Sequence, residues 1–135
     1  MYLGLFSDPN YSIYYWMPSN AIDANENVGY TFSEGNVTGY PSPYMVTIDS
    51  SGNASTPKQV LAATGADASD NIWGEYVSVS SDPDATDNIS FWATGEYFTA
   101  TQQQCPAWNP DGSTKCTWQT QLFNCQVGNN NGFCP

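Results

Sequence analysis

The chain has 135 residues, enough for one modest domain with a real core and too few for two independent ones. Its hydrophobic share of 40% and aromatic share of 15% exclude wholesale disorder. Thirteen Asp and Glu face only Lys58 and Lys115, and the net charge of -11 repels phosphate backbones and anionic headgroups, which argues against nucleic acid and membrane surfaces as partners.

At the N-terminus, Met1-Tyr-Leu-Gly-Leu-Phe6 has no basic n-region and meets Ser7, Asp8 and Pro9 too early for a signal peptide. Export is therefore expected to be encoded upstream, or the chain to be a segment of a longer protein. No run approaches the ~18 apolar residues of a membrane-spanning helix. Next come Tyr11, Tyr14, Tyr15 and Trp16, with Tyr40 and Tyr44 not far along the chain. Exposed rings at this density suit stacking on the C–H faces of sugars, while packing inside a β-core is the competing use.

Helical periodicity is almost absent. Short alternating, β-branched and aromatic runs bounded by Gly, Pro, Asn and Asp predict strands near Ser19–Ala24, Asn27–Ser33, Tyr44–Asp49, Gln59–Ala63, Glu75–Ser80, Ile89–Ala93, Tyr97–Thr101 and Thr117–Asn124. The fold class is all-β. Asp23-Ala-Asn-Glu-Asn27 and Asp82-Pro-Asp-Ala-Thr-Asp-Asn88 read as polar hairpin connections, and Asp49-Ser-Ser-Gly52 carries a glycine suited to positive φ. Asn10, Asn36, Asn53 and Asn88 each begin an N-x-S/T sequon, of which the turn-proximal Asn36 and Asn53 are the better candidates for a glycan.

Chemistry-bearing residues are few. With no His there is no base for a Ser-His-Asp or Cys-His nucleophile. Glycoside hydrolysis needs only two carboxylates, and Glu75 and Glu96 are weak catalytic candidates beside Trp73, Tyr76, Trp92 and Tyr97, four rings that form the candidate ligand-binding set. The plainer reading has those rings packing and the carboxylates accepting backbone hydrogen bonds. Acidic loops at Asp67–Asp70 and at Asp82, Asp84 and Asp87 offer oxygen ligands of the kind Ca2+ takes, the second set being the better, although neither has the spacing of an EF-hand and solvated turns explain them as well. No other cofactor is expected.

Cys105, Cys116, Cys125 and Cys134 all fall in the last part of the chain. Without His or a C-x-x-C pair they lack common zinc spacing, so disulfides are expected, and with them an oxidising compartment and a secreted or extracellular location. Three pairings are open; the sequential one, Cys105 with Cys116 and Cys125 with Cys134, closes two short turn-rich loops.

A repeat appears when the turns are aligned. Trp16-Met-Pro-Ser-Asn-Ala-Ile-Asp23, a turn and Asn27-Val-Gly-Tyr30 match Trp73-Gly-Glu-Tyr-Val-Ser-Val-Ser-Ser-Asp82, a turn and Asn88-Ile-Ser-Phe91. Together with Tyr40-Pro-Ser42, Asp82-Pro83 and Phe91-Trp-Ala-Thr-Gly-Glu-Tyr97, this series resembles the closing blades of secreted bacterial sialidase-like (BNR-type) β-propeller proteins. The family pattern usually carries a Cys near Asn88 and an Asp where this chain has Glu75. The resemblance implies antiparallel four-stranded blades: about two of them over residues 1–101, with repeat units near 15–70 and from 72 to 101 onward, then a Cys-rich strand and tail over 102–135. Sialidase chemistry would require an arginine cluster, which this chain lacks.

Two blades do not close a ring, so missing blades, supplied by a longer protein or by a homo-oligomer, are implied. The leading expectation is a non-catalytic extracellular recognition or scaffold surface whose partner is a protein or glycan at the cell exterior. A glycan-binding or glycan-hydrolysing piece of a larger carbohydrate-active protein is one alternative. A subunit of an extracellular filament built by β-strand complementation is the other.

Overall fold

In a computed structural model that describes residues 12–66, 76–83, 90–99 and 118–127, the regular structure of those residues is entirely β. Four strands, β1 (Ile13–Ile22), β2 (Val28–Asn36), β3 (Ser42–Ile48) and β4 (Lys58–Gln59), form one antiparallel sheet in that order. Three more, β5 (Ser78–Ser81), β6 (Ser90–Phe98) and β7 (Trp118–Gln126), form a second.

The sheets pack face to face through side chains that alternate along each strand. Met45 of β3, Phe91 and Ala93 of β6, and Phe123 and Cys125 of β7 make the shared core, all at 4% exposure or less. Two glycines allow the close approach. A Cβ on Gly29 of β2 would stand 2.5 Å from the Phe91 ring, and one on Gly95 of β6 would run into Pro43 of β3. Each sheet thus receives a bulky side chain from the other over its own glycine. Ser19 adds a polar tie, its hydroxyl oxygen accepting from the Val79 amide at 3.2 Å and joining β1 to β5.

The opposite face of the first sheet is apolar as well. Phe32, Val46 and Ile48 are buried there, with Tyr15, Val28, Tyr30, Tyr44 and Ala54 packed around them. Two turns at one end of this sheet share a design. Asp23 accepts from the amides of Asn25 and Asn27 and from the Asn27 side chain, and Asp49 does the same with Ser51 and Asn53. Each clamp spans i to i+4 and places a positive φ just before its Asn, 64° at Glu26 and 88° at Gly52. Asn27 Oδ1 also accepts from the Ser50 amide at 3.0 Å, locking one turn to the other.

Several expected boundaries move for physical reasons. The described parts of the runs Ile89–Ala93 and Tyr97–Thr101 join in one strand, β6, which ends at Phe98, because Gly95 continues the ladder with Gln121 and marks a close approach rather than a break. Of the run Gln59–Ala63 only Gln59 pairs in the ladder, together with Lys58 before it; after Gln59, Val60 donates to the Pro43 carbonyl and Ala63 to the Ser42 hydroxyl. β1 begins at Ile13 instead of Ser19, since Met17-Pro18 is a bulge inside the strand. The first copy of the repeat lies on the β1–β2 hairpin, and the described part of the second lies on β5 and β6. The two sheets do not close a propeller ring. Cys125 is fully buried in the shared core and is not a free thiol, whereas Cys105, Cys116 and Cys134 lie outside the described residues, so the expected pairing is not placed.

Candidate functional site

The bulge in β1 shapes a concavity on the first sheet. Proline has no amide hydrogen to give the ladder, so Pro18 fits where pairing is interrupted. Between the pairs Trp16↔Ser33 and Ser19↔Thr31, β1 holds one residue more than β2, and Met17 takes the extra bend with φ 49°. Tyr15, Trp16, Pro18, Tyr30 and Phe32 line the resulting cleft of about 210 Å³.

Its floor and rim are aromatic in an ordered way. Phe32 is 2% exposed and is touched by three tyrosine rings: Tyr15 edge-on at 5.4 Å, Tyr30 tilted at 6.2 Å and Tyr44 stacked at 6.0 Å. An apolar ring below and phenol rings around it give a surface that packs against C–H groups and hydrogen-bonds at its edge.

A carboxylate completes the cluster. Glu34 lies on the same face of β2 as Phe32, directly opposite Tyr15 on β1, and is buried. Burial pushes its carboxyl above the usual 4.5, an effect that the hydrogen bond from the Tyr44 hydroxyl partly offsets. The same surroundings raise Tyr44 to about 12, through burial first and then the charge and hydrogen bond of Glu34. The pair is therefore a phenol hydrogen-bonded to a buried carboxyl, joined to the cleft through Tyr15, which faces Glu34 across the ladder, and Phe32, which stacks on Tyr44.

The expected site residues fall in different places. Tyr15 and Trp16 line the cleft and Tyr44 stacks beside it; Tyr14 and Tyr40 are exposed, and Tyr11 lies outside the described residues. Trp92, 41% exposed, lies in a second cleft of about 390 Å³ with Val60, Leu61, Gln121, Leu122, Phe123 and Asn124. Its indole Nε1 donates to Asp82 Oδ2 at 2.9 Å, which gives that carboxylate a role on the protein itself. Tyr97 donates to Gln119 Oε1 at 2.6 Å, and strand alternation sends it to the face opposite Trp92 and Glu96. Glu96 is 3% exposed and Tyr76 is 69% exposed. Trp73, Glu75, Asp84 and Asp87 lie outside the described residues, as does the loop Asp67–Asp70, and among the described residues no three His, Cys, Asp or Glu side chains come together as a metal site.

Sequence reasoning missed Pro18, Tyr30, Phe32 and Glu34 as site residues. The signal was present in β2, where Tyr30, Phe32 and Glu34 recur every second residue and so share one face. Comparison with protein-family models, curated proteins and solved structures finds no match to this chain.

Proposed function

We propose that the chain is a non-catalytic extracellular recognition module that binds neutral glycans in the cleft of Tyr15, Trp16, Pro18, Tyr30 and Phe32. The observation that carries this reading is the aromatic cluster around Phe32 with the Glu34–Tyr44 pair at its side. Rings supply flat apolar faces for sugar C–H groups, and the phenol hydroxyls of Tyr15 and Tyr30 can exchange hydrogen bonds with sugar hydroxyls. Binding is favoured over hydrolysis because the described residues that line the cleft include no carboxylate to act as acid or base. The lack of His and Arg points the same way.

The two-sheet repeat supports the further reading that these sheets are blade-like units related to sialidase-like propellers, and that reading rests on the motif residues alone. An extracellular location rests on the cysteine pattern and on the surface composition, which depends on Asn, Ser, Thr, Gln and Tyr more than on charge.

The test is a titration of the full chain with neutral oligosaccharides of varied linkage, followed by tryptophan fluorescence and by amide shifts. At least one should bind saturably, shift residues of β1 and β2, and be released unhydrolysed. Trp16→Ala should weaken that binding about tenfold, the loss of one stacking contact. Absence of saturable binding, or a Trp16→Ala variant that binds as well as the parent, would sink the proposal.

A further inference from the structure

Two of the four sequons fall within the described residues, and their geometries differ. Asn36 ends β2 and opens the connection to β3, where Val37, Thr38, Gly39 and Tyr40 are all exposed. Its Oδ1 accepts from the Thr38 amide at 2.9 Å and from the Thr38 hydroxyl at 3.0 Å. Both bonds hold the oxygen and neither engages Nδ2, and polarising the carbonyl makes that nitrogen easier to deprotonate. Gly39 leaves room beside it, since a Cβ there would approach the Asn36 carboxamide to 3.1 Å.

Asn53 is built the other way. Its Nδ2 donates to Asp49 Oδ2 at 2.9 Å, and its own amide donates to Asp49 Oδ1 at 2.8 Å. The sequon's hydroxyl, on Ser55, accepts from the Thr47 amide at 3.0 Å and lies against β3. Modifying Asn53 would break the turn clamp.

The geometry points to Asn36 as a site of N-linked glycosylation on the folded chain, with Asn53 left unmodified. The donor is a polyprenyl diphosphate-linked oligosaccharide and the catalyst a membrane oligosaccharyltransferase. Asn36 Nδ2 forms a bond to the anomeric carbon, the bond from that carbon to the diphosphate oxygen breaks, and the diphosphate leaves with the electron pair. The proton lost from Nδ2 goes to a base of the transferase. The inference rests on the extracellular location but not on the cleft.

Two measurements test it. Folded chain incubated with transferase membranes and lipid-linked oligosaccharide should gain a glycan at Asn36 and none at Asn53, read by glycopeptide mass mapping, whereas chain unfolded in advance should accept at both. Thr38→Ser should keep the Asn36 glycan, and Thr38→Ala and Asn36→Gln should lose it. An unmodified Asn36, or equal occupancy of Asn53, in the folded chain overturns the site. Protein from its native source should carry the same adduct at Asn36, and a sugar-free Asn36 there also overturns it. Oligosaccharide titration of the cleft is a separate readout, so failure of one proposal is distinguishable from failure of the other.

Discussion

Single side chains set the local stability of the first sheet. Asp23, 8% exposed, accepts three hydrogen bonds within its turn, so Asp23→Ala leaves two amides and a carboxamide without their acceptor. The expected cost is about 2 kcal/mol, read as a lower urea midpoint at unchanged slope. Asp49→Ala should cost less, because the same clamp stands there in solvent and water replaces its acceptor. Glu34 acts in the opposite sense. Its carboxyl is raised from 4.5 by burial, so the folded chain holds that proton more tightly than the unfolded chain does. Stability from this group is full below the unfolded value and declines as pH rises through the folded one. Glu34→Gln should therefore stabilise the chain at pH 7 and make no difference in acid, as thermal melts across that range would show. Tyr44, raised from 10.0 to about 12, adds a second loss as pH climbs between those values. A Gln variant no more stable than the parent at neutral pH would contradict the assignment of Glu34 as a desolvated carboxylate.

Strands meet across the two sheets by complementary shape. Phe91 sits where Gly29 has no side chain, and Pro43 where Gly95 has none. Gly29→Ala should overpack the contact with Phe91 and lower stability by about 1–3 kcal/mol. If Gly29→Ala were neutral, the sheets would have to be farther apart than this interlock requires. The same two glycines show how far the sequence could be read. Alternation and turn residues were enough to find β2, β3 and β7 and to define the hairpin at Asp23–Asn27. Gly95, however, looks like an interruption from sequence, because a missing side chain marks a break and a close approach alike. Pro18 misled in the same manner, since a strand bulge and a strand start both tolerate proline. Of the cleft, Tyr15 and Trp16 were visible as a dense aromatic run, but Glu34 was not. Its significance depends on the β1–β2 register that sets it opposite Tyr15 and on Tyr44 returning from β3, and both are pairings between strands.

At the scale of the molecule, the net charge of -11 dominates. With only two lysines to offset thirteen carboxylates, charge at neutral pH is mostly self-repulsion, and compaction brings those charges nearer than they lie in the unfolded chain. Salt should relieve that term: the screening length falls from about 10 Å at 0.1 M to about 3 Å at 1 M. Few ion pairs can exist with two cations, so little stabilising attraction is screened in return. The chain should therefore gain stability as NaCl rises over that range, visible as a higher urea midpoint. Because the core of Met45, Phe91, Ala93, Phe123 and Cys125 draws on both sheets, separating the sheets exposes it and leaves the first sheet only the Phe32 cluster on its other face. The salt-dependent transition should then be single, with tryptophan fluorescence and far-ultraviolet dichroism sharing one midpoint at every salt concentration. Midpoints that separate as salt rises would mean that the two sheets are independent units, each with a core of its own.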